Sequence, residues 1–223
     1  FGLRRAALGV LRILIEQRLD LDLEDLLRET ADILAEQLGA DAKRVKGLGG
    51  GTAVPETLDY MLERLKAYYA DQGLAADTID AVLARRPTRP RDFDRRVRAV
   101  QAFRALPEAE SLAAANKRIR NILRQSEGAA PGAVEPSLLT EAAERALADA
   151  MGALSTEVES LFDQGDYEPA LSRLAGLRVP VDAFFDEVMV MAEDEALRRN
   201  RLALLSELSA LFLRAADLSR LQQ

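Results

Sequence analysis

Apolar residues recur every three or four positions over most of this chain, and that spacing leaves few folds open. Leu197, Leu204, Leu208, Leu211, Ala215 and Leu218 form one such seam, with Leu205 and Phe212 beside it. Residues at this spacing share one face of a helix and are buried together. The two-residue alternation of a half-buried strand extends no further than Val188–Met191. β-branched clusters are few, and no internal repeat is evident. The expected fold class is all-α, a multi-helix bundle. Helices are expected over roughly 3–18, 22–38, 56–72, 75–85, 91–105, 109–125, 138–163, 167–176, 180–190 and 194–219.

Two stretches interrupt the pattern. LGGGTAVPE at 48–56 and SEGAAPGAVEPS at 126–137 lack the apolar spacing that would bury a face, and they read as loops or linkers. The glycines of the first do not make a phosphate cradle, because no P-loop lysine with its Ser/Thr follows and no strand precedes.

Residue usage closes several kinds of chemistry. Cysteine, histidine and tryptophan are absent. Disulfides, thiol nucleophiles, imidazole acid/base catalysis and Cys/His zinc sites are therefore excluded. The 37 Asp and Glu form no run that would order them around an ion, so they read as scattered helix-face acids. No metal or catalytic residue is expected. The chain opens Phe-Gly-Leu-Arg-Arg, shows no signal-peptide pattern, and has no apolar run long enough to span a bilayer. A soluble, cytoplasmic fragment of a longer protein, with no membrane partner, is the expectation.

The formal net charge is −7, which by itself disfavours a polyanionic ligand. Its distribution says otherwise. Residues 85–124 hold twelve Lys/Arg against four Asp/Glu, a local +8, and leave 18 basic against 33 acidic residues elsewhere. In helix 91–105, Phe93, Val97 and Val100 face a core while Arg91, Arg95 and Arg98 repeat the same spacing on the far side. In helix 109–125, Leu112, Ala115, Ile119 and Ile122 face inward, and Lys117, Arg120, Asn121 and Arg124 form the opposite face. Arginine outnumbers lysine eleven to one in this segment. A guanidinium engages phosphate bidentately or stacks on a base, so the two faces are candidates for one nucleic-acid surface. Solvated surface charge is the alternative.

The stretch FFDEVMVMAEDEALRRNRLALL at 184–205 reads mainly as architecture. Phe184, Val188 and Met191 are expected to pack, while Glu193, Asp194 and Glu195 complement the start of the last helix.

Continued to residue 221, the same stretch resembles the C-terminal end of the β subunit of bacterial glycyl-tRNA synthetase. FGLRRAALGVLRILIEQRLDLDLEDLL at 1–27, IDAVLARRPTRPRDFDRRVRAVQAFRALPEAESLAAANKRIRNIL at 79–123 and LLTEAAERALADAM at 138–151 resemble it in the same order. The GLGGGTAV insert at 47–54 departs from the family pattern. The resemblance implies a C-terminal part of that subunit: a helical region at 1–105 following an HD-like domain, then a helical anticodon-binding domain of the arginyl-tRNA synthetase type at 106–223. It implies glycine tRNA and the synthetase α subunit as partners in a hetero-oligomer. It implies no cofactor in this fragment, with ATP and Mg used by the α subunit of the aminoacyl-tRNA synthetase, so that the fragment alone is non-catalytic. Glycine anticodons end in CC, and a cytosine edge offers mixed donors and acceptors. The expected tRNA contacts are accordingly Arg91, Arg95, Arg98, Asn116, Lys117, Arg120, Asn121 and Arg124, with Asn116 or Asn121 reading a base. A helical scaffold that docks the α subunit or another acidic partner is the competing reading; salt dependence and competition by tRNA separate the two.

Overall fold

A computed structural model describes residues 2–45, 47–48, 51–126 and 132–222, and among these it contains ten α-helices and no strand. In chain order they are α1 (Gly2–Glu16), α2 (Leu23–Leu38), α3 (Ala53–Ala70), α4 (Ala76–Leu83), α5 (Pro90–Arg104), α6 (Ala109–Gln125), α7 (Ala142–Asp163), α8 (Tyr167–Ala175), α9 (Arg178–Glu187) and α10 (Glu195–Leu213). Short 3-10 turns occupy Gly39–Arg44, Pro136–Leu138 and Leu218–Arg220. All ten expected helices are present. The chain divides into two compact units, with the cut between Asp94 and Arg95 inside α5.

In the first unit α3 packs on α1, α2 and α4. Leu11, Leu65, Tyr69, Ile79, Val82 and Phe93 are buried in its core. Tyr69 lies parallel to Phe93 at 5.4 Å between ring centroids, and its hydroxyl bonds the Asp94 carboxylate at 3.1 Å. Helix α2 starts where Asp22 caps it: Oδ1 accepts from the amide of Glu24 at 2.9 Å, and Oδ2 accepts from the Thr88 hydroxyl at 2.6 Å. Partial burial pushes the Asp22 carboxyl up, but the Thr88 hydroxyl, the Asp25 and Glu24 amides and Arg89 together outweigh it and hold the carboxyl below its ordinary value. Lys66 joins α3 to α4 through Asp80 at 3.1 Å, a hydrogen bond that raises the ammonium above its usual range.

Helix α3 begins at Ala53, three residues before the sequence pattern suggests, with Pro55 in its first turn where a missing N–H costs nothing. The first expected loop, 48–56, is therefore partly helical; its residues 49 and 50, and residues 127–131 of the second, lie outside the described set.

The second unit is built around α10, whose residues 200–205 are buried without interruption, so that no face of that turn meets solvent. Helices α6 and α7 pack on it, α8 and α9 lie against α7, and α9 also meets α6. Asn200 holds residue 135 from within the core, accepting from the Glu135 amide at 2.7 Å and donating to its carbonyl at 3.1 Å. Arg201 and Glu144 form a buried ion pair, Nε to Oε1 at 2.5 Å. The same arginine donates to the Met189 carbonyl at 2.8 Å, and Glu144 accepts from the Glu141 amide at the start of α7. Gly165, between α7 and α8, has φ +70°, and a Cβ there would lie 2.6 Å from the Arg95 guanidinium.

Two expectations change here. The last helix stops at Leu213, not 219, because Arg96 reaches in from α5 and donates to the carbonyls of Arg214 at 2.5 Å and Ala215 at 2.9 Å. Those carbonyls are thereby satisfied without a further helical turn. Met191 is 54% exposed and does not pack, whereas Phe184 and Val188 do. Helix α9 ends at Glu187, Val188 is extended, and the chain turns at Val190–Met191, which leaves Val188 and Val190 buried and Met189 and Met191 exposed.

Candidate nucleic-acid interface

Helix α6 owes its orientation to its inner face. Leu112 and Ile119 are fully buried, Ile122 is half-buried, and Ser111 donates to Asp182 of α9 at 2.5 Å. What remains outside is a stripe at four-residue spacing: Lys117, Asn121 and Gln125, all exposed. Together with Arg118 they line one side of a cleft of about 590 Å³, whose other side is the 3-10 turn and tail at Ser219–Gln222.

The expected contact residues separate into groups. Lys117, Asn121 and Arg124 are exposed on α6 and engage no partner among the described residues. Arg120 shares their face, but its Nη1 donates to Asp217 at 2.8 Å and to the Ser219 hydroxyl at 3.0 Å. Asp217 also accepts from Ser219 at 2.5 Å and from Arg220 at 3.1 Å. One carboxylate thus fixes the tail against α6, and Arg120 builds the wall of the cleft.

Asn116 is a correction. It is 6% exposed, and its amide nitrogen bonds the Leu112 carbonyl at 2.9 Å, so it faces the core with Leu112 and Ile119 and does not reach a ligand. The four-residue spacing from 112 to 116 already placed it there.

On α5, Arg95 is exposed yet occupied: it pairs with Asp166 at 2.9 Å and donates to the Gln164 carbonyl at 3.1 Å, lying across Gly165. Arg98 is exposed. Arg91 is half-buried and belongs to the first unit.

Arg118 was counted only in the charge. It lies over the Phe185 ring at 4.3 Å from the centroid, and that ring stands edge-on to the buried Phe184 at 5.6 Å. Nothing in local spacing marks a pairing between α6 and α9 so far apart in sequence.

A larger cleft of about 730 Å³ in the first unit contains Arg4, Arg5, Arg12, Glu16, Tyr68 and Asp71. Its charges are mixed, and Arg12 is paired with Glu16 at 2.9 Å. The α6 cleft, with no acidic side chain lining it, is the better candidate for an anionic ligand. No cluster of metal-ligating side chains occurs among the described residues, and no described helix is long and apolar enough to cross a membrane.

The second unit is all-α and carries its open cations and amides on one helix, and residues 112–218 match the family described as DALR anticodon binding domain. Residues 1–84 match the family described as glycyl-tRNA synthetase beta subunit. The glycine-tRNA ligase beta subunits of Aeromonas hydrophila, Aeromonas salmonicida and Haemophilus influenzae are each 54% identical over 222 residues, covering 100% of this chain. Over its whole length the chain is similar to glycyl-tRNA synthetase beta subunits. It spans 31% of the length of those relatives.

Proposed function

We propose that this chain is a tRNA-binding module of a glycine-tRNA ligase beta subunit, in which the anticodon-binding part lies within residues 106–223 and follows a helical region at 1–105. It binds the anticodon arm of glycine tRNA in the cytoplasm and supports ATP-dependent attachment of glycine by the α subunit of the hetero-oligomer, where ATP and Mg are used. The chain itself performs no chemical step. Its inventory of side chains supports this, since it offers neither histidine nor cysteine.

One observation carries the reading. Lys117, Asn121 and Arg124, exposed on α6 and unengaged among the described residues, fall within the segment that matches an anticodon-binding family. Cations there neutralise phosphate, and amides present the paired donor and acceptor that a base edge needs. Acidic residues elsewhere limit binding to unrelated polyanions.

Titration with glycine tRNA and with the same tRNA carrying a changed anticodon is the test. Preferential binding of the first is expected. The logarithm of affinity should fall with the logarithm of salt by about 0.7 for each phosphate contact to single-stranded RNA, and Lys117→Ala should lower that slope. Equal binding of both tRNAs would overturn the anticodon-reading role, and binding of an acidic protein that tRNA does not compete would identify α6 as a docking face for that partner.

A further inference from the structure

Among the described residues four arginines lie over aromatic rings, and three of them also give their donors to the protein. Arg64, over Tyr60, donates to the Tyr60 carbonyl. Arg96, over Tyr167, donates to the Tyr167 hydroxyl and to two main-chain carbonyls. Arg214, over Phe162, pairs with Asp163. Arg118 differs: among the described residues it has no hydrogen-bond acceptor and no carboxylate partner, only the Phe185 ring beneath it.

Arg118 sits over the Phe185 ring and is exposed. Phe185 rests edge-on against Phe184, which is fully buried, so the ring is fixed from below. Arg118 lines the α6 cleft beside Lys117, Asn121 and Gln125. The cleft volume of about 590 Å³ falls in the range that holds one small ligand, which suits a single splayed-out nucleotide.

We propose, building on the tRNA-binding reading above, that Arg118 stacked on Phe185 is the shelf for one unstacked cytosine of the anticodon, with Lys117, Asn121 and Gln125 along the edge of that base. The ring covers one face of the guanidinium and the base covers the other, the arrangement in which arginine planes hold RNA bases. The edge groups favour cytosine over uracil. Cytosine presents its N4 donor next to the N3 and O2 acceptors; an amide carbonyl of Asn121 or Gln125 accepts from N4, and the donor-only ammonium of Lys117 serves N3 or O2. Uracil replaces the N3 acceptor with an N3–H and the N4 donor with O4, so an ammonium at N3 and an amide carbonyl at position 4 both lose their partners.

The test couples a protein change to a base deletion. The 223-residue chain is titrated with the anticodon stem-loop of glycine tRNA and with versions made abasic at each of the last two anticodon positions in turn. In the parent protein, one of the two deletions should weaken binding roughly five- to a hundredfold, the loss expected for a stacked base. Arg118→Lys keeps the charge and removes the plane. It should leave the salt slope and melting temperature unchanged but reduce the penalty of that same deletion to under about twofold. Phe185→Leu should act in the same direction. Undiminished penalties in Arg118→Lys at both positions would overturn the shelf while leaving the tRNA reading intact. A parent chain that binds the glycine stem-loop no better than an unrelated one would overturn both.

Discussion

Glu144→Gln should be among the most damaging single-atom-scale changes available in the second unit. The side chains of Arg201 and Glu144 are 5% and 0% exposed, and their charges meet at 2.5 Å. Glutamine keeps the shape and can still accept from the Glu141 amide, so the cap of α7 survives. Arg201 is left with the Met189 carbonyl at 2.8 Å, the Thr140 hydroxyl at 3.5 Å and Glu141 at 4.0 Å, none of which neutralises a buried guanidinium at close range. Two unit charges 4 Å apart attract by about 4 kcal/mol at an effective dielectric of 20. Removing one partner of such a pair costs about 3–5 kcal/mol, chiefly because the other charge remains desolvated. The double variant Glu144→Gln, Arg201→Met contains no buried charge, so it should lose less than the sum of the singles by about 2 kcal/mol or more. Urea unfolding followed by circular dichroism, with unchanged m-values, reads all three variants. A loss below about 1 kcal/mol for Glu144→Gln, or strict additivity in the double variant, would refute the claim that these charges are held by each other.

Leu208→Ala, on the inner seam of α10, should cost about 2–5 kcal/mol through lost burial and a residual cavity, visible as a lower melting temperature; a surface-like change within about 0.5 kcal/mol would contradict its 1% exposure. Gly165→Ala meets both a positive φ and the Arg95 guanidinium, so it should destabilise by about 1 kcal/mol or more, and Arg95→Ala should relieve only the steric share. Asp22→Ala should cost about 0.5–2 kcal/mol at neutral pH. The Asp22 carboxyl is held below its ordinary value of 3.8, so its contribution is present above that value and lost as pH falls through the folded one. The gap in melting temperature between Asp22→Ala and the parent should therefore close on acidification; a gap that widens would show the sign to be wrong.

Helix positions were readable because several helices here, α5 and α6 among them, bury one face, and the apolar spacing records that face directly. Phe93, Val97 and Val100 are buried as their spacing requires, and so are Leu204 and Leu208. Met191 failed because helical spacing was carried past Glu187, where the helix has ended and the chain turns at Val190–Met191. The end of α10 failed because its terminator is a side chain from another helix: nothing local to Arg214 announces Arg96. The same division runs through the candidate site. Exposure of Lys117, Asn121 and Arg124 followed from the face opposite Leu112 and Ile119. The engagement of Arg120 by Asp217 and of Arg118 by Phe185 depends on partners about a hundred and about seventy residues away, and a one-dimensional pattern does not record such pairs.

That distance has a consequence for how affinity is to be interpreted. The tail wall of the cleft is joined to α6 by the Arg120 bond across 97 residues, and the end of α10 is fixed by Arg96 across 118. Closing a loop of that size costs about 2 kcal/mol more than closing one of ten residues, and no local helix propensity returns it. The wall therefore exists only while the rest of the second unit is assembled. Apparent affinity scales with the fraction of molecules in the competent form, so a substitution deep in α7 or α10 can weaken RNA binding without any contribution to recognition. Comparisons between variants report on recognition only once that fraction has been measured for each.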